Sequence, residues 1–397
     1  MLTAPDTIEY FAVAHGDMTD PFDDRISTCQ GRLEDGDGDC LILGPGPALT
    51  YLAGVRESPS ERHFLFVIPA SGTPTVIAPA MYAAELEAAP VDRFRCWDDG
   101  DDPVAILEDT IADVGGPTNG DDYRILLDDR LWTTFAQDVR SIAPAASYGL
   151  ASTVLEPMRL RKDARERSTL RAAADLADRV SMRLRQRGER VVGTTERELA
   201  AEIDSLLERE GGRSPAFDTI VAAGANGARP HHRPDDTVIE SGDPVVLDFG
   251  ASVPADLEAG EALYPGDQTR TIVFGGEPPA GYPEVHEVVE RAQRAAVDHV
   301  EPGVTAESVD AVARDVIEAA GYGDAFVHRT GHGVGLEVHE PPYIVGGNDR
   351  VLEEGMVFSV EPGIYLEGEF GVRLEDLVLV TADGADRLNT TPMDWQP

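Results

Sequence analysis

Residues 328–340 read HRTGHGVGLEVHE and carry the densest group of chemically versatile side chains in the sequence. His328, His332 and His339 offer three imidazoles that could bind a metal ion or move protons near neutral pH. A helix would place His328 and His332 on one face, but three glycines within residues 331–335 disfavour a helix. Each histidine alone would more simply be a polar residue of a turn, so the rest of the chain has to decide between the two interpretations.

Four carboxylates lie where an apolar strand makes a charge costly. Two divalent cations would neutralise them, whereas a buried salt bridge would explain only one. Adding one imidazole gives the ligand set of a two-metal hydrolase bridged by carboxylates. The strict alternation of GVRLEDLVLV predicts one strand over 371–380 with Arg373 and Glu375 on the same face. The four acids are Asp248 in VVLDFG, Asp267 at the start of DQTRTIVF, Glu361 in GMVFSVEPGIY and Glu375.

The overall charge excludes several classes of partner. The chain has 397 residues, with 73 acidic and 33 basic side chains and a net charge of −40. Such a surface repels nucleic acid and anionic membranes. Lys162 is the only lysine. In ordinary salt, repulsion among so many acids strains the folded state. Molar salt shortens the Debye length to about 3 Å and removes that strain. We therefore expect a protein from the cytosol of an extreme halophile, with a generic acidic protein as the alternative.

The sequence predicts neither a membrane helix nor a secretory signal, and its cysteines do not suggest a metal site. The sequence has no apolar run long enough for a membrane helix and no N-terminal pattern of a secretory signal. Cys29, Cys40 and Cys96 lack the spacing of a metal site and are expected to be reduced thiols. These features predict a cytoplasmic location.

Length and pattern predict two domains, 1–156 and 157–397. In the first, strands at 40–44, 63–69, 75–80 and 124–129 alternate with helices at 81–89 and 103–114, which indicates an α/β domain. The second has apolar stripes at helical spacing within 155–180, 285–296 and 309–320. We assign these stripes to the core.

Six motifs between residues 217 and 381 occur in the order typical of one enzyme group. They are FDTIVAAGANGARPHH, VVLDFG, DQTRT, HRTGHGVGLEVHE, EEGMVFSVEPGIY and GVRLED. In these motifs the chain resembles the metallopeptidases of the pita-bread fold, which include Xaa-Pro aminopeptidases, prolidases and methionine aminopeptidases. LILGPGPALTYLAG, at 41–54, resembles the creatinase-like N-terminal domain of the first two. The resemblance implies a mixed α/β (α+β) protein with a creatinase-like N-terminal domain and a pita-bread catalytic domain.

The resemblance also implies a two-metal centre. Asp248 would bind the first metal, and His332 and Glu361 the second. Asp267 and Glu375 would bridge both. A water or hydroxide between the metals would be the nucleophile, with Glu361 as its general base or proton shuttle.

Other residues take roles around that centre in the resemblance. His231 and His339 would contact the scissile amide and the tetrahedral intermediate. His328 would line the pocket for the proline side. Arg373 would support the ligands, as would Tyr365. The glycines of 331–335 would let the backbone pass close to the metals.

The expected activity is hydrolysis of the Xaa-Pro bond of di- or oligopeptides, by a prolidase or an Xaa-Pro aminopeptidase. The hard ligand set favours Mn²⁺, with Co²⁺, Zn²⁺ or Fe²⁺ as alternatives, and the family implies a homodimer. A metal-dependent lyase or creatinase-like hydrolase is the second reading, and a binding protein is the third. One departure is that the loop between Asp248 and Asp267 is longer than in the family. We expect its extra residues, within 251–266, to form a hairpin tip that reshapes the mouth of the pocket.

Overall fold

The fold was analysed in a computed structural model that describes residues 21–116 and 122–397. The first part of the chain forms a six-stranded mixed sheet in the order β4-β3-β2-β1-β5-β6. Strand β1 pairs antiparallel with β2 and parallel with β5. The strands are β1 Cys40–Leu43, β2 Leu65–Pro69, β3 Thr75–Pro79, β4 Phe94–Trp97, β5 Arg124–Leu127 and β6 Ser147–Leu150.

Helices cover both faces of this sheet, as the alternating sequence pattern predicted. They are α1 Phe22–Arg32, α2 Pro47–Ala53, α3 Ala83–Ala88, α4 Pro103–Asp113 and α5 Thr133–Ile142, with a π-helical turn at Leu33–Asp37 and a 3₁₀ turn at Ala80–Tyr82. The four predicted strands and two predicted helices are confirmed. Strands β4 and β6, whose residues other than the buried Trp97 are partly buried or exposed, lack the apolar run that marked the other four.

Helix α6, Ser152–Leu160, leads from the first part into the second. The predicted domain boundary at 156 falls within this helix and stays a prediction. Four longer helices follow: α7 Ala164–Arg187, α8 Glu196–Arg209, α9 Tyr282–His299 and α10 Ala306–Ala319. Capping boxes formed by Asp163 with Glu166 and by Thr195 with Glu198 begin α7 and α8 by satisfying free backbone N–H groups.

Antiparallel sheets form the other layer of the second part, in the orders β12-β9-β8, β11-β10-β7, β14-β13-β15-β18-β19 and β16-β17. Short 3₁₀ turns lie at Gly188–Val191, Gly224–Ala228 and Gly323–Ala325. The strands are β7 Ser214–Pro215, β8 Ile220–Ala223, β9 Pro244–Phe249, β10 Ala251–Pro254, β11 Leu263–Pro265, β12 Gln268–Val273, β13 Gly331–Gly333, β14 Glu340–Ile344, β15 Val357–Val360, β16 Gly363–Leu366, β17 Phe370–Arg373, β18 Asp376–Thr381 and β19 Gly384–Arg387.

The prediction of a single strand over 371–380 is wrong, because the segment forms two strands, β17 and β18, in different sheets. The chain turns at Leu374 and Glu375, and the Glu375 N–H donates to the carbonyl of Thr269 at 3.1 Å. Hydrogen bonding to β12 thus replaces continuation of the ladder. The break still leaves Arg373 and Glu375 lining one cavity.

The long connection between Asp248 and Asp267 is more than a hairpin tip. Strands β10 and β11 extend the β9–β12 pair into a second sheet with β7. Only residues 255–262 lie beyond them, closed by a hydrogen bond of 2.8 Å from Ala255 N–H to the Ala262 carbonyl. The tip reaches the N-terminal part, where Glu261 N–H donates to the Gly54 carbonyl at 2.7 Å.

Two further expectations concern the cysteine thiols and membrane-spanning helices. Cys29, Cys40 and Cys96 are free thiols, as the sequence predicted. Within residues 21–116 and 122–397, no helix combines the length and the apolar character that a membrane crossing needs.

Candidate active site

Strand pairing brings three of the four carboxylates to one patch. Asp248 lies on β9 directly opposite Thr269 of β12. Asp267 stands one residue before β12, and the backbone of Glu375 is hydrogen-bonded to Thr269. Residues far apart in the chain thus meet around Thr269, with their carboxylates facing one cavity.

His332 and Glu361 complete this group from the neighbouring sheet. Ligand-type atoms of Asp267, His332 and Glu375 lie within 4.8 Å of one another, and all three side chains are buried. Nε2 of His332 is 3.8 Å from Oδ2 of Asp267 and 3.2 Å from Oε1 of Glu361. The five predicted ligands therefore line one cavity.

The glycines around His332 serve strand packing. A Cβ on Gly331 would lie 1.8 Å from the Ser359 carbonyl, and one on Gly333 would lie 2.2 Å from the Pro341 carbonyl. Any side chain there would push β13 away from its neighbours, β14 and β15. Contact with adjacent strands is thus a further reason for Gly331 and Gly333, and the role of these glycines in admitting the backbone beside the metals stays a prediction.

The carboxylates repel one another in this buried setting. Burial, with Asp248 and Glu361 nearby, raises the pKa of Asp267 well above its usual range. Burial and the same neighbours, together with Asp267, also raise the pKa of Glu375. Glu361 differs: burial acts to raise its pKa, but the hydrogen bond and charge of His332 lower it to about 2. Positive charge at the centre would relieve the repulsion.

Asp248 provides the observation that tests whether cations fit here. Its Oδ2 accepts a hydrogen bond of 2.6 Å from Nη2 of Arg373. Its Oδ1 is buried without a hydrogen-bond partner, although a buried carboxylate oxygen normally has one. An oxygen-rich set of four carboxylates and one imidazole matches hard divalent cations. The residues present therefore fit a divalent metal centre.

Thr269 is a functional contact that the motif analysis missed. Its hydroxyl donates to Oε2 of Glu375 at 2.6 Å and accepts from Nε of Arg373 at 3.2 Å. One buried hydroxyl thus orients both side chains. The signal was available, because the period of two along β12 puts Thr269 on the same face as Asp267.

His328, Tyr365 and Arg373 form a chain of hydrogen bonds with a defined direction. Nδ1 of His328 is 2.7 Å from the Arg329 carbonyl, which can only accept. Burial lowers the pKa of His328 and so favours the neutral ring. Because the Arg329 carbonyl needs a donor, Nδ1 carries the proton of that neutral ring. Nε2 then accepts from the Tyr365 hydroxyl at 2.8 Å, and that oxygen accepts from Nη1 of Arg373 at 3.0 Å.

His231 and His339 lie on the rim of the same cavity of about 500 Å³. The His339 ring meets His332 edge-on, with centroids 4.1 Å apart. Although His339 is exposed at the rim, partial loss of hydration, followed by the nearby His332 and Arg329, lowers its pKa to about 4, so the ring is neutral near pH 7. Apolar side chains of Phe217, Ile220 and Val338 form part of the wall. All nine predicted site residues line this cavity.

A second group that could hold a metal ion consists of Glu196, His232 and Asp235. The buried Glu196 carboxylate already accepts from Ala223 N–H at 2.8 Å and pairs with Nε2 of His232 at 2.7 Å. It also accepts from Nδ2 of Asn226 and the N–H of Asp235. These hydrogen bonds anchor the loop that carries His231, so the group has a structural explanation.

Comparison with known proteins identifies the family. Residues 168–382 match the metallopeptidase family M24, and residues 25–161 match the creatinase/prolidase N-terminal domain. The chain belongs to metallopeptidase family M24. Its fold is the creatinase-like N-terminal domain followed by the pita-bread domain, as the motifs implied.

Two curated M24 relatives match over most of their length. The "Probable dipeptidase PepE" of Mycobacterium bovis is 41% identical over 356 residues, covering 89% of this chain and 90% of the relative. The Xaa-Pro dipeptidase of Lactobacillus helveticus is 36% identical over 377 residues, covering 93% and 98%.

A solved structure gives the same result. The crystal structure of a prolidase from Thermococcus sibiricus superposes with a TM-score of 0.86 at 36% identity, covering 96% of this chain and 99% of that one. This M24 protein is thus a metallopeptidase with a candidate metal centre at Asp267, His332 and Glu375.

Proposed function

We propose that this M24 protein hydrolyses the peptide bond preceding proline at a centre that binds two divalent cations. The convergence of Asp267, His332 and Glu375 within 4.8 Å carries the proposal. Asp248, whose Oδ1 has no hydrogen-bond partner, and Glu361 complete the ligand set. We assign Asp248 to the first cation, His332 and Glu361 to the second, and Asp267 and Glu375 to both.

The chain's own residues have distinct tasks in this proposal. The bound cations would lower the pKa of a water molecule, so that hydroxide is available near neutral pH to attack a peptide carbonyl. Glu361 is the general base or proton shuttle for that water. His231 and His339 contact the scissile amide, where a neutral imidazole donates a hydrogen bond to developing negative charge. His328 lines the proline side, held by Tyr365.

Preference for proline and for dipeptides rests on the relatives. The Lactobacillus helveticus and Pyrococcus horikoshii relatives are both named Xaa-Pro dipeptidases, and the apolar wall of Phe217, Ile220 and Val338 suits an uncharged ring. Four carboxylates and one imidazole favour Mn²⁺ over Zn²⁺ as the native metal. We further infer a homodimer in a salt-rich cytosol, from the family resemblance and the net charge of −40.

The test compares hydrolysis of Ala-Pro and Ala-Pro-Ala in molar KCl with Mn²⁺, using Glu361→Ala as the inactive control. We expect cleavage of Ala-Pro and about two metal ions per chain by elemental analysis. Cleavage of the tripeptide instead would make the protein an Xaa-Pro aminopeptidase. If folded, metal-loaded protein cleaves neither peptide, the proline assignment fails and a metal-dependent lyase becomes the better reading. Light scattering in molar KCl tests the dimer.

A further inference from the structure

Two glutamates flank His339 in the sequence, and both bind basic residues of the segment that joins the two parts of the chain. Glu337 and Glu340 lie on either side of Val338 and His339. Their partners are Arg159, at the end of α6, and Lys162, just before α7. The link between the parts therefore contacts the turn that carries a proposed catalytic histidine.

Lys162 is fully used in this contact. Its Nζ lies 2.7 Å from Oε1 of Glu340, and the Lys162 and Glu340 side chains are 1% and 5% exposed. The same ammonium donates to the carbonyls of Arg159 at 3.0 Å and Leu160 at 3.5 Å. Three protons thus have three acceptors in a compact space, an arrangement that suits a point-like ammonium better than a planar guanidinium.

Arg159 closes the other side of the Glu340 carboxylate. Its Nη2 lies 2.5 Å from Oε2 of Glu340 and 3.0 Å from Oε2 of Glu337. Arg130, from the loop after β5, also pairs with Glu337. Because Lys162 binds Oε1 and Arg159 binds Oε2 of the buried Glu340, this carboxylate has one defined position.

Glu340 also shapes the turn from within. The N–H of Glu337 donates to Oε2 of Glu340 at 3.4 Å. A Cβ on Gly335 would lie 2.2 Å from Oε1 of Glu340, so a glycine there makes room for the carboxylate. The pairing of β13 with β14 shifts register just after His332. The Glu340 side chain adds to the backbone hydrogen bonds of the 334–340 turn, such as the one of 3.1 Å from Gly335 N–H to the Glu337 carbonyl.

We propose that Lys162 and Arg159 are positioning residues, which hold His339 against the metal centre by fixing Glu340. This inference rests on the proposed role of His339 at the scissile amide. A displaced turn would leave the ligands Asp267, His332 and Glu375 in place and move only the imidazole. Because misplacing a catalytic group by about 1 Å can cost up to roughly a hundredfold in rate, the effect falls on kcat.

The experiment is a double-mutant cycle in metal-loaded protein. Lys162→Met removes the ammonium and keeps the length of the side chain, while Arg159 still pairs with Glu340. We expect kcat on Ala-Pro to fall about tenfold or more, with KM and metal content nearly unchanged. In the His339→Asn background the same change should have little further effect on kcat. Arg159→Gln serves as the second variant if Lys162→Met does not fold.

An activity-independent readout separates this inference from the proposed function. Histidine-selective ¹⁵N labelling of Zn²⁺-loaded protein avoids the paramagnetic broadening that Mn²⁺ would cause. With the His339 signals assigned from His339→Asn, it should show them shifted by Lys162→Met and those of His299 unchanged. Arg171→Met, which removes an exposed pair with Asp386, is the matched control and should leave activity and signals as they were. Equal losses of kcat with and without His339, or unshifted His339 signals, would overturn the positioning role. If wild-type protein cleaves no Xaa-Pro peptide, the proposed function fails while the signals still decide the positioning.

Discussion

Arg373 binds one oxygen of Asp248 and leaves the other without a partner. Nη2 of Arg373 lies 2.6 Å from Oδ2, and the two side chains are 4% and 14% exposed. Oδ1 is buried without a hydrogen-bond partner. The guanidinium thus orients the carboxylate while keeping one oxygen available for a cation.

Replacing Arg373 should weaken metal binding through Asp248. In Arg373→Met the carboxylate loses its orienting partner, so we expect metal affinity to fall by about 10- to 100-fold, as for other residues that orient metal ligands. Isothermal titration with Mn²⁺ measures this. Arg171→Met removes an arginine from an exposed pair and should leave the affinity unchanged. Unaltered affinity in Arg373→Met would contradict the orienting role.

The Thr269 hydroxyl should matter more than its methyl group. Thr269→Val leaves Glu375 without a donor and Nε of Arg373 without an acceptor. We expect the free energy of unfolding to fall by about 1–3 kcal/mol, with weaker metal binding. Thr269→Ser keeps the hydroxyl and should retain most of both, as urea titration of the two variants can show. Equal losses would mean that the methyl group carries the effect.

His286 should make the protein sensitive to mild acid. Burial, aided by Arg185, lowers its pKa from 6.5 to about 4. The unfolded chain therefore takes up a proton at higher pH than the folded protein, and this contribution to stability is lost as the pH falls from about 6.5 to 4. The shift corresponds to roughly 3 kcal/mol.

Urea denaturation of metal-free protein between pH 7 and pH 4 measures this loss. His286→Gln should flatten the dependence relative to wild type. His299→Gln changes a less buried histidine of the same helix, α9, and should follow wild type. An unchanged slope in His286→Gln would assign the acid sensitivity to other groups.

The tip of the long hairpin should depend on the absence of a side chain at Gly260. A Cβ there would lie 2.8 Å from Cα of Gly54, and φ is +76°. Gly281 has a similar φ of +84° but nothing within 4 Å of its Cβ position. Both alanine variants bear the left-handed backbone strain of about 1 kcal/mol, and only Gly260→Ala displaces the tip.

We expect Gly260→Ala to lose about 1–3 kcal/mol more than Gly281→Ala, the usual cost of overpacking. Limited proteolysis should then cut within 255–262 in Gly260→Ala alone. Identical stability and cleavage patterns would show that the tip adapts to the added methyl group.

Local patterns were enough to predict several of the elements and the residue types of the candidate site. Apolar runs such as 40–44 and 124–129 predicted β1 and β5, because a buried strand needs such a run whatever surrounds it. Asp248 and Asp267 stood out because a carboxylate beside an apolar strand is costly unless something compensates it. The motifs then implied the family, which the match over residues 168–382 confirms.

Long-range contacts decided the rest. The turn at Leu374 depends on a hydrogen bond between Glu375 and Thr269, and alternation within 371–380 carries no information about a strand elsewhere in the chain. The proposed role of Glu340 in the 334–340 turn depends on its contact with Lys162, which is 178 residues away in the sequence. Residue types and spacing determined which groups could bind cations, because those properties are local. The partners that orient each group were decided by tertiary structure, because they are brought together only when the sheets and the joining segment pack.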